Sequence, residues 1–367
     1  MENQILPVCS QCGRLYPEVG APYLCSCGGV FDFPPFQLPE DPKKIEKDQG
    51  LWKYKPLFSL GENLPIISLG EGNTPLCELE YHSQKIWAKL EFLNPTGSYK
   101  DRGSAVLTSF LVSRGIASAV EDSSGNAGAS FAAYAVRAGI NAEIYIPESA
   151  SGPKRNQIEA YGAKVHRIPG PRSEASRAVL EAVNKGAIYA SHAYMPFGLH
   201  GIATIAYEIY EQMGGKAPGT IIAPVGHGGL LYGLIKGFEG LKMACSTHEE
   251  PFYLGVQSNG CSPVFDAFAR GELSLREPIL SDTIAEGVKV SSPVRGNAIL
   301  RKICEHRGKI ISIGDDQLLR AYHDIAKKGF FIEPTSALVW AALEDQITAL
   351  PAPVVMIFTG SGLKTQI

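Results

Sequence analysis

The chain has 367 residues, of which 45% are hydrophobic and 19% charged, with a formal net charge of -3. That length suggests two domains with a short appendage, and the composition argues against a disordered or fibrous protein. The near-balanced charge supplies no basic field for nucleic acid, and no apolar run approaches the roughly 20 residues that span a bilayer.

Taken in chain order, Met1, Glu2, Asn3 and Gln4 open without the charged and apolar regions of a secretory leader, so the expected compartment is the cytoplasm. Residues 1–38 form a distinct segment. Cys9, Cys12, Cys25 and Cys27 are spaced C-x2-C-x12-C-x-C, four soft ligands able to complete a tetrahedral Zn²⁺ site without an open position. A segment this short has little core of its own, which favours a structural ion. Four unbound thiols are the alternative, since the second pair is tighter than the usual C-x-x-C. Cys77, Cys245, Cys261 and Cys304 are scattered singly and read as reduced thiols. The Pro- and Lys-rich stretch that begins at Leu38 looks like an exposed linker.

From about residue 85, short β-rich runs alternate with longer helix-like ones. Strands are predicted at 86–91, 117–121, 142–146, 164–168, 220–225, 253–257 and 354–358, and helical composition at 128–138, 174–183 and 229–241. The alternation implies an α/β fold with largely parallel sheets. In such folds ligands sit beyond the carboxyl ends of strands, and four unusual loops fall there.

The first loop, residues 94–103, contains Ser98 and Asp101 in the spacing of a capping box, which places Lys100 in the first turn of a helix. The positive end of the helix dipole disfavours a cation there and favours the neutral amine that forms an imine. On the capping argument alone, a solvated surface lysine is the favoured reading. The second loop carries Asn126 between Gly125 and Gly128; its amide can donate to a phenolate-type oxygen, or simply cap the helix as an Asx turn. In the third, Gly226, His227, Gly228 and Gly229 lead from a strand into a helix, an arrangement that favours a phosphate. It lacks the full spacing of a nucleotide fingerprint, because Leu231 stands at the third glycine position. The fourth holds Thr359 and Ser361, hydroxyls able to meet a heterocyclic nitrogen without forcing its protonation.

Together with the run from Gly70 to Leu76, these loops occur in the order seen in threonine synthases, which the chain resembles over nearly its whole length. They belong to the fold type II, tryptophan-synthase-like group of pyridoxal-phosphate enzymes. The resemblance implies that Lys100 holds pyridoxal 5′-phosphate as a Schiff base and that Asn126 contacts its 3-hydroxyl. It further implies that Gly226, His227, Gly228 and Gly229 hold the phosphate and that Thr359 faces the pyridine nitrogen. The chain is also similar to the subset of threonine synthases with a cysteine-bearing N-terminal segment, which implies a zinc-ribbon-like module at residues 1–38.

The fold expected from the resemblance is two open α/β domains with a cleft between them: a large domain of 39–97 and 202–367, and a small mobile one of 98–201. Relatives are commonly homodimers. The activity implied is conversion of O-phosphohomoserine and water to threonine and phosphate, with Lys100 moving protons at Cα and Cβ. One departure bears on the substrate: residues 195–203 carry no cation where many threonine synthases place an arginine or lysine. Arg102, Lys154, Arg155 and Lys364 are the substitutes within reach of the motifs. The departure motivates a second reading, β-elimination or β-replacement on serine, threonine, phosphoserine or a diamino acid. A third, a non-catalytic zinc-ribbon interaction protein, ranks last, because residues 1–38 hold one arginine, Arg14, and no lysine to face polyphosphate.

Overall fold

A computed structural model describes residues 5–36, 50–58, 60, 61, 63–150, 152–244 and 249–365. The expected linker after Leu38, Cys245 and the first four residues lie outside the described residues.

The N-terminal segment holds a two-residue ladder, β1 (Val8–Cys9) against β2 (Phe31–Asp32). The body opens with the hairpin β3 (Leu76–Tyr81) and β4 (Gln84–Lys89), followed by α1 (Lys100–Ser113). Next come β5 (Ser118–Glu121), α2 (Asn126–Ala138), β6 (Asn141–Pro147), α3 (Pro153–Ala160), β7 (Lys164–Ile168) and α4 (Arg172–Asn184). The chain continues through α5 (Gly198–Gln212), β8 (Thr220–Pro224), α6 (Gly229–Ala244), β9 (Phe252–Ser258), α7 (Pro263–Ala269) and α8 (Gly296–Glu305). It ends with β10 (Lys309–Ile313), α9 (Asp315–Lys327), α10 (Pro334–Ala341), α11 (Leu343–Gln346) and β11 (Val354–Ile357).

Besides the N-terminal ladder the described residues form two sheets, and the fold is α/β with mostly parallel strands. The larger runs β10-β9-β8-β11-β4-β3, parallel except for the β3–β4 hairpin. The smaller, β5-β6-β7, is wholly parallel. Strands β8 and β11 are buried along their whole length, as the apolar runs 221–224 and 354–357 require of strands covered on both faces. The last strand, β11, inserts between β4 and β8. Strand order therefore reverses at the centre of the sheet, and the carboxyl ends of β4, β11 and β8 open beside one another, where a crevice forms.

Helices α1, α5 and α6 cover one face and pack closely. A Cβ on Gly201 would stand 1.9 Å from the Arg102 carbonyl oxygen, so α5 reaches α1 only because that position is glycine. Between the two helices lies a buried ionic knot. Arg102, fully enclosed, donates to Glu91 at 2.7 Å and to Glu208 at 2.8 Å, and Lys89 donates to Glu208 at 2.7 Å. Helix α5 runs unbroken across position 201/202, where the sequence placed a domain boundary.

The N-terminal segment is built into this body. The Tyr16 ring meets Phe31, Phe110 and Phe197 edge to face, and Phe33 and Phe36 flank His200, whose ring is buried among them. Tyr232 donates to Asp32, and Lys236 Nζ to the Phe33 carbonyl at 2.6 Å. No helix among the described residues is long and apolar enough to cross a membrane.

Candidate active site

Lys100 is the first residue of α1, at the end of the loop from β4. That loop is tied to the last strand of the sheet: Tyr99 N donates to Thr359 O and Ser361 N to Gly97 O, both at 3.0 Å. The capping box expected from Ser98 and Asp101 does not form. Ser98 Oγ is buried without a partner, and the Asp101 carboxylate turns back to Thr96, accepting from its N–H at 2.6 Å and its hydroxyl at 2.5 Å. Ser130 adds a third bond at 2.7 Å. A sharper turn than the box allows, with Gly97 at φ +85°, brings Thr96 into reach and still leaves Lys100 in the first helical turn. Burial raises the Asp101 carboxyl to about 6, against the pull of these bonds.

Lys100, Asn126, Gly226, His227, Gly228, Gly229 and Thr359 all line one cleft of about 1360 Å³. The side-chain nitrogen of Asn126 donates to Glu333, at 2.9 and 3.1 Å to its two oxygens, while Oδ1 is buried with no partner. The amide thus offers the cleft an acceptor, where the sequence suggested a donor. A phenolic hydroxyl would satisfy it. Gly228 adopts φ +91°, and the loop delivers the unpaired N–H groups at the start of α6 to the cleft, a seat for a phosphate. Thr359 Oγ shares a 2.8 Å hydrogen bond with Ser336. The orphaned Asn126 acceptor, the amide cradle and Lys100 fit pyridoxal phosphate.

Of the substitute cations, Arg102 is excluded: its guanidinium is fully engaged by Glu91 and Glu208. Lys154 pairs with Glu333 at 3.3 Å, and Arg155 faces the Ala150 carbonyl. Lys364 lines the cleft, with Nζ on the Thr96 carbonyl at 2.7 Å, and burial lowers it to about 8. The segment without a cation is close-packed, since a Cβ at Gly198 would stand 3.2 Å from the Gly103 carbonyl oxygen. The cation that sequence reasoning missed is Arg172, at the start of α4. It lines the cleft, is exposed, and has no side-chain hydrogen bond or ion pair among the described residues.

Sequence reasoning also missed Glu333, which orients Asn126, and a pair behind Lys100. Glu121, fully buried at the end of β5, meets His192 Nδ1 at 2.6 Å, and the His192 ring stands 5.5 Å from that of His227. Burial lifts the Glu121 carboxyl well above its ordinary range, with Asp122 adding to the rise and Lys100 and Arg172 opposing it. Burial holds His192 and His227 well below theirs, and both Lys100 and Arg172 push the same way.

The four N-terminal cysteines converge. Sγ–Sγ separations are 3.4 Å for Cys9–Cys27, 3.7 Å for Cys12–Cys25 and 3.5 Å for Cys12–Cys27, and all four sulfurs lie within 4.8 Å of one another. Four thiolates about 2.3 Å from a tetrahedral zinc would be roughly 3.8 Å apart, so the cluster fits that ion. Two residues from Cys25, Tyr23 stacks edge to face on Tyr189 and Tyr194 and, with Leu24, lines the cleft.

Residues 67–360 match the family model of the pyridoxal-phosphate dependent enzymes. The threonine synthase of Methanocaldococcus jannaschii is 32% identical over 377 aligned residues, covering 98% of this chain and 93% of its own. That of Halalkalibacterium halodurans is 34% identical over 330, covering 86% and 89%. Among solved structures, threonine deaminase isoform 2 from Solanum lycopersicum superposes with a TM-score of 0.71 at 21% identity, covering 95% of each chain. Maize serine racemase does so at 0.69 and 21%, covering 80% of this chain and 89% of its own. At those identities the structures speak for the fold alone.

Proposed function

Because this chain belongs to the pyridoxal-phosphate dependent enzymes, we propose that it is a lyase of threonine synthase type, converting O-phosphohomoserine and water to threonine and phosphate. The observation that carries the reading is identity of about a third to curated threonine synthases over nearly the full length of both chains. The cofactor, when bound, serves as the electron sink for charge at the substrate's α-carbon. Lys100 would hold it covalently, Asn126 and Thr359 would meet its ring substituent and nitrogen, and Gly226, His227, Gly228 and Gly229 its phosphate. In turnover the Lys100 amine moves protons at Cα and Cβ, and the cleft walls keep water from the reacting carbons before its turn.

The test is Lys100→Ala. Turnover of O-phosphohomoserine is lost, and borohydride no longer fixes the cofactor on residue 100 in a mass map. A variant that turns over at the parent rate overturns the reading.

A second reading, β-elimination or β-replacement on a hydroxy or diamino acid, is favoured by one observation: residues 195–203 carry no cation and Arg102 is enclosed. Incubation with O-phosphohomoserine, serine, threonine and diaminopropionate separates the two. Phosphate with threonine supports the synthase, whereas ammonia with a 2-oxo acid and no threonine supports the alternative.

The same proposal includes a structural Zn²⁺ on Cys9, Cys12, Cys25 and Cys27, supported by the sulfur geometry, and a homodimer in the cytoplasm that acts on a small amino acid and binds neither nucleic acid nor membrane. Metal analysis and light scattering of the purified chain test the ion and the dimer.

A further inference from the structure

We propose that Glu121 and His192 form a proton relay that opens into the cleft beside Lys100 and serves the departing group and the adding water. The inference rests on the threonine synthase reading above and assigns the proton transfers of phosphate departure and water addition to a pair of side chains.

The geometry is that of a dyad. Glu121 has no exposure, and among the described residues its only side-chain partner is His192 Nδ1 at 2.6 Å. His192 keeps 19% of its side chain exposed, toward the cleft it lines. A carboxylate that oriented the ring for structural reasons alone would have its second oxygen satisfied. Instead Glu121 Oε2 is buried without a partner, and so is His227 Nδ1 across the 5.5 Å ring contact. Two orphaned polar atoms beside a cleft mark a place where a ligand or its water completes the bonding.

The surroundings decide where the proton rests. Facing the pair are Asp122 from the same strand end, Lys100 from α1, Arg172 from α4 and His227 from the glycine-rich loop. Burial dominates, raising the carboxyl well above its ordinary range and holding the imidazole well below its own, so the uncharged form of each partner is favoured. With Nδ1 accepting from the Glu121 hydroxyl, the uncharged ring carries its own proton on Nε2, the nitrogen left for the cleft.

The transfer then balances. Nε2 gives its proton to an oxygen of the departing group while Nδ1 takes the proton of Glu121. One O–H bond breaks at the carboxyl and one forms on the leaving group. The imidazole is neutral before and after, and Glu121 becomes a carboxylate, which Lys100 and Arg172 stabilise. The water that next adds to the substrate returns a proton to Nε2, and Nδ1 hands one back to Glu121. Lys100 is left free for the carbon-bound protons.

The test is Glu121→Gln in the holoenzyme. The amide can still donate to Nδ1 but cannot surrender a proton. Expected are a fall in kcat of about a hundredfold, a KM within about twofold of the parent, and an unchanged visible spectrum of the bound cofactor. His192→Gln gives the same pattern. Independently of any substrate, infrared difference spectra of the parent at neutral pH contain the carbonyl band of a protonated carboxylic acid, and Glu121→Gln removes it. A kcat that is unchanged, a cofactor spectrum that shifts with the substitution, or a band that persists in the variant overturns the relay. If the parent releases no phosphate from O-phosphohomoserine, the substrate reading fails by itself, and the infrared band still decides the protonated pair.

Discussion

Asn126 and Glu333 lie 207 residues apart, and the side-chain nitrogen of the first donates to both carboxylate oxygens of the second, at 2.9 and 3.1 Å. Glu333 is anchored in turn by its N–H on the Gly360 carbonyl at 2.9 Å. A carboxylate can only accept, so it determines which end of the Asn126 amide faces the cleft.

Glu333→Gln removes that constraint, because a glutamine can donate as well as accept and lets Asn126 rotate. The expected outcome is a weaker cofactor site by about 1.5–3 kcal/mol, the range for a hydrogen bond to a charged group. Titration of the apoprotein with pyridoxal phosphate, followed by absorbance, measures it. An unchanged affinity would remove Glu333 from the site.

The N-terminal cysteines should affect the cleft as well as stability, since Tyr23 sits two residues from Cys25 with its ring on Tyr189 and Tyr194. Tyr189 donates to Asp122 at 2.7 Å, immediately before the loop that carries Asn126. Cys12→Ser, or removal of metal by a chelator, lowers Tm and raises KM, whereas Tyr23→Ala raises KM with less effect on Tm. Parallel melting and steady-state measurements distinguish the two. A metal-free chain with unchanged Tm would show that the four sulfurs need no ion.

How much of this was legible beforehand depends on where each signal is written. Lys100, Asn126, Gly226–Gly229 and Thr359 sit in loops whose residue types announce themselves, and all seven line one cleft. Strand β3 and its hairpin to β4 went unread because the pairing is antiparallel at the edge of an otherwise parallel sheet. Helix α9 left a usable trace in Leu318, Ala321, Tyr322 and Ile325, spaced for one buried face, but no motif drew attention to it. Glu333 and the Glu121–His192 pair were out of reach for another reason. Each works through a partner more than 70 residues away, and nothing local marks a carboxylate as buried. The Ser98–Asp101 box fitted the local pattern and lost to a contact inside the same loop, the two hydrogen bonds that Thr96 donates to Asp101.

Lys364 supplies a pH test. Burial lowers its ammonium from 10.5 to about 8 in the folded chain. Between those values the unfolded chain binds more protons than the folded one, so this group makes stability rise with pH, by up to about 1.4 kcal/mol per unit. Below about 8 the lysine is charged in both states and its full penalty is present. Urea unfolding from pH 7.5 to 10 should give a shallower slope for Lys364→Met than for the parent. Equal slopes would place the lysine in water.

Arg172 bears on the substrate itself. It is a cation on the cleft wall with no partner among the described residues, and its charge acts on Glu121, His192 and His227. With Arg102 enclosed and Lys154 held by Glu333, it is the cation best placed to meet an anionic group carried by the substrate. Such a contact is made in the bound state as well as the transition state, and its loss raises KM by more than it lowers kcat, the fall in kcat reporting the support Arg172 gives to the Glu121 carboxylate. Arg172→Ala should therefore raise KM for O-phosphohomoserine about tenfold, near the lower end for a charge-assisted hydrogen bond. Arg172→Lys should restore part of it, because a point charge still attracts the phosphate without the bidentate fit. The same substitution should leave KM for an uncharged substrate such as serine unaltered, which separates recognition of the phosphate from a general disturbance of the cleft. An equal rise for both substrates would assign Arg172 to the architecture of the wall and leave the phosphate to Lys364, which also lines the cleft, with its Nζ on the Thr96 carbonyl.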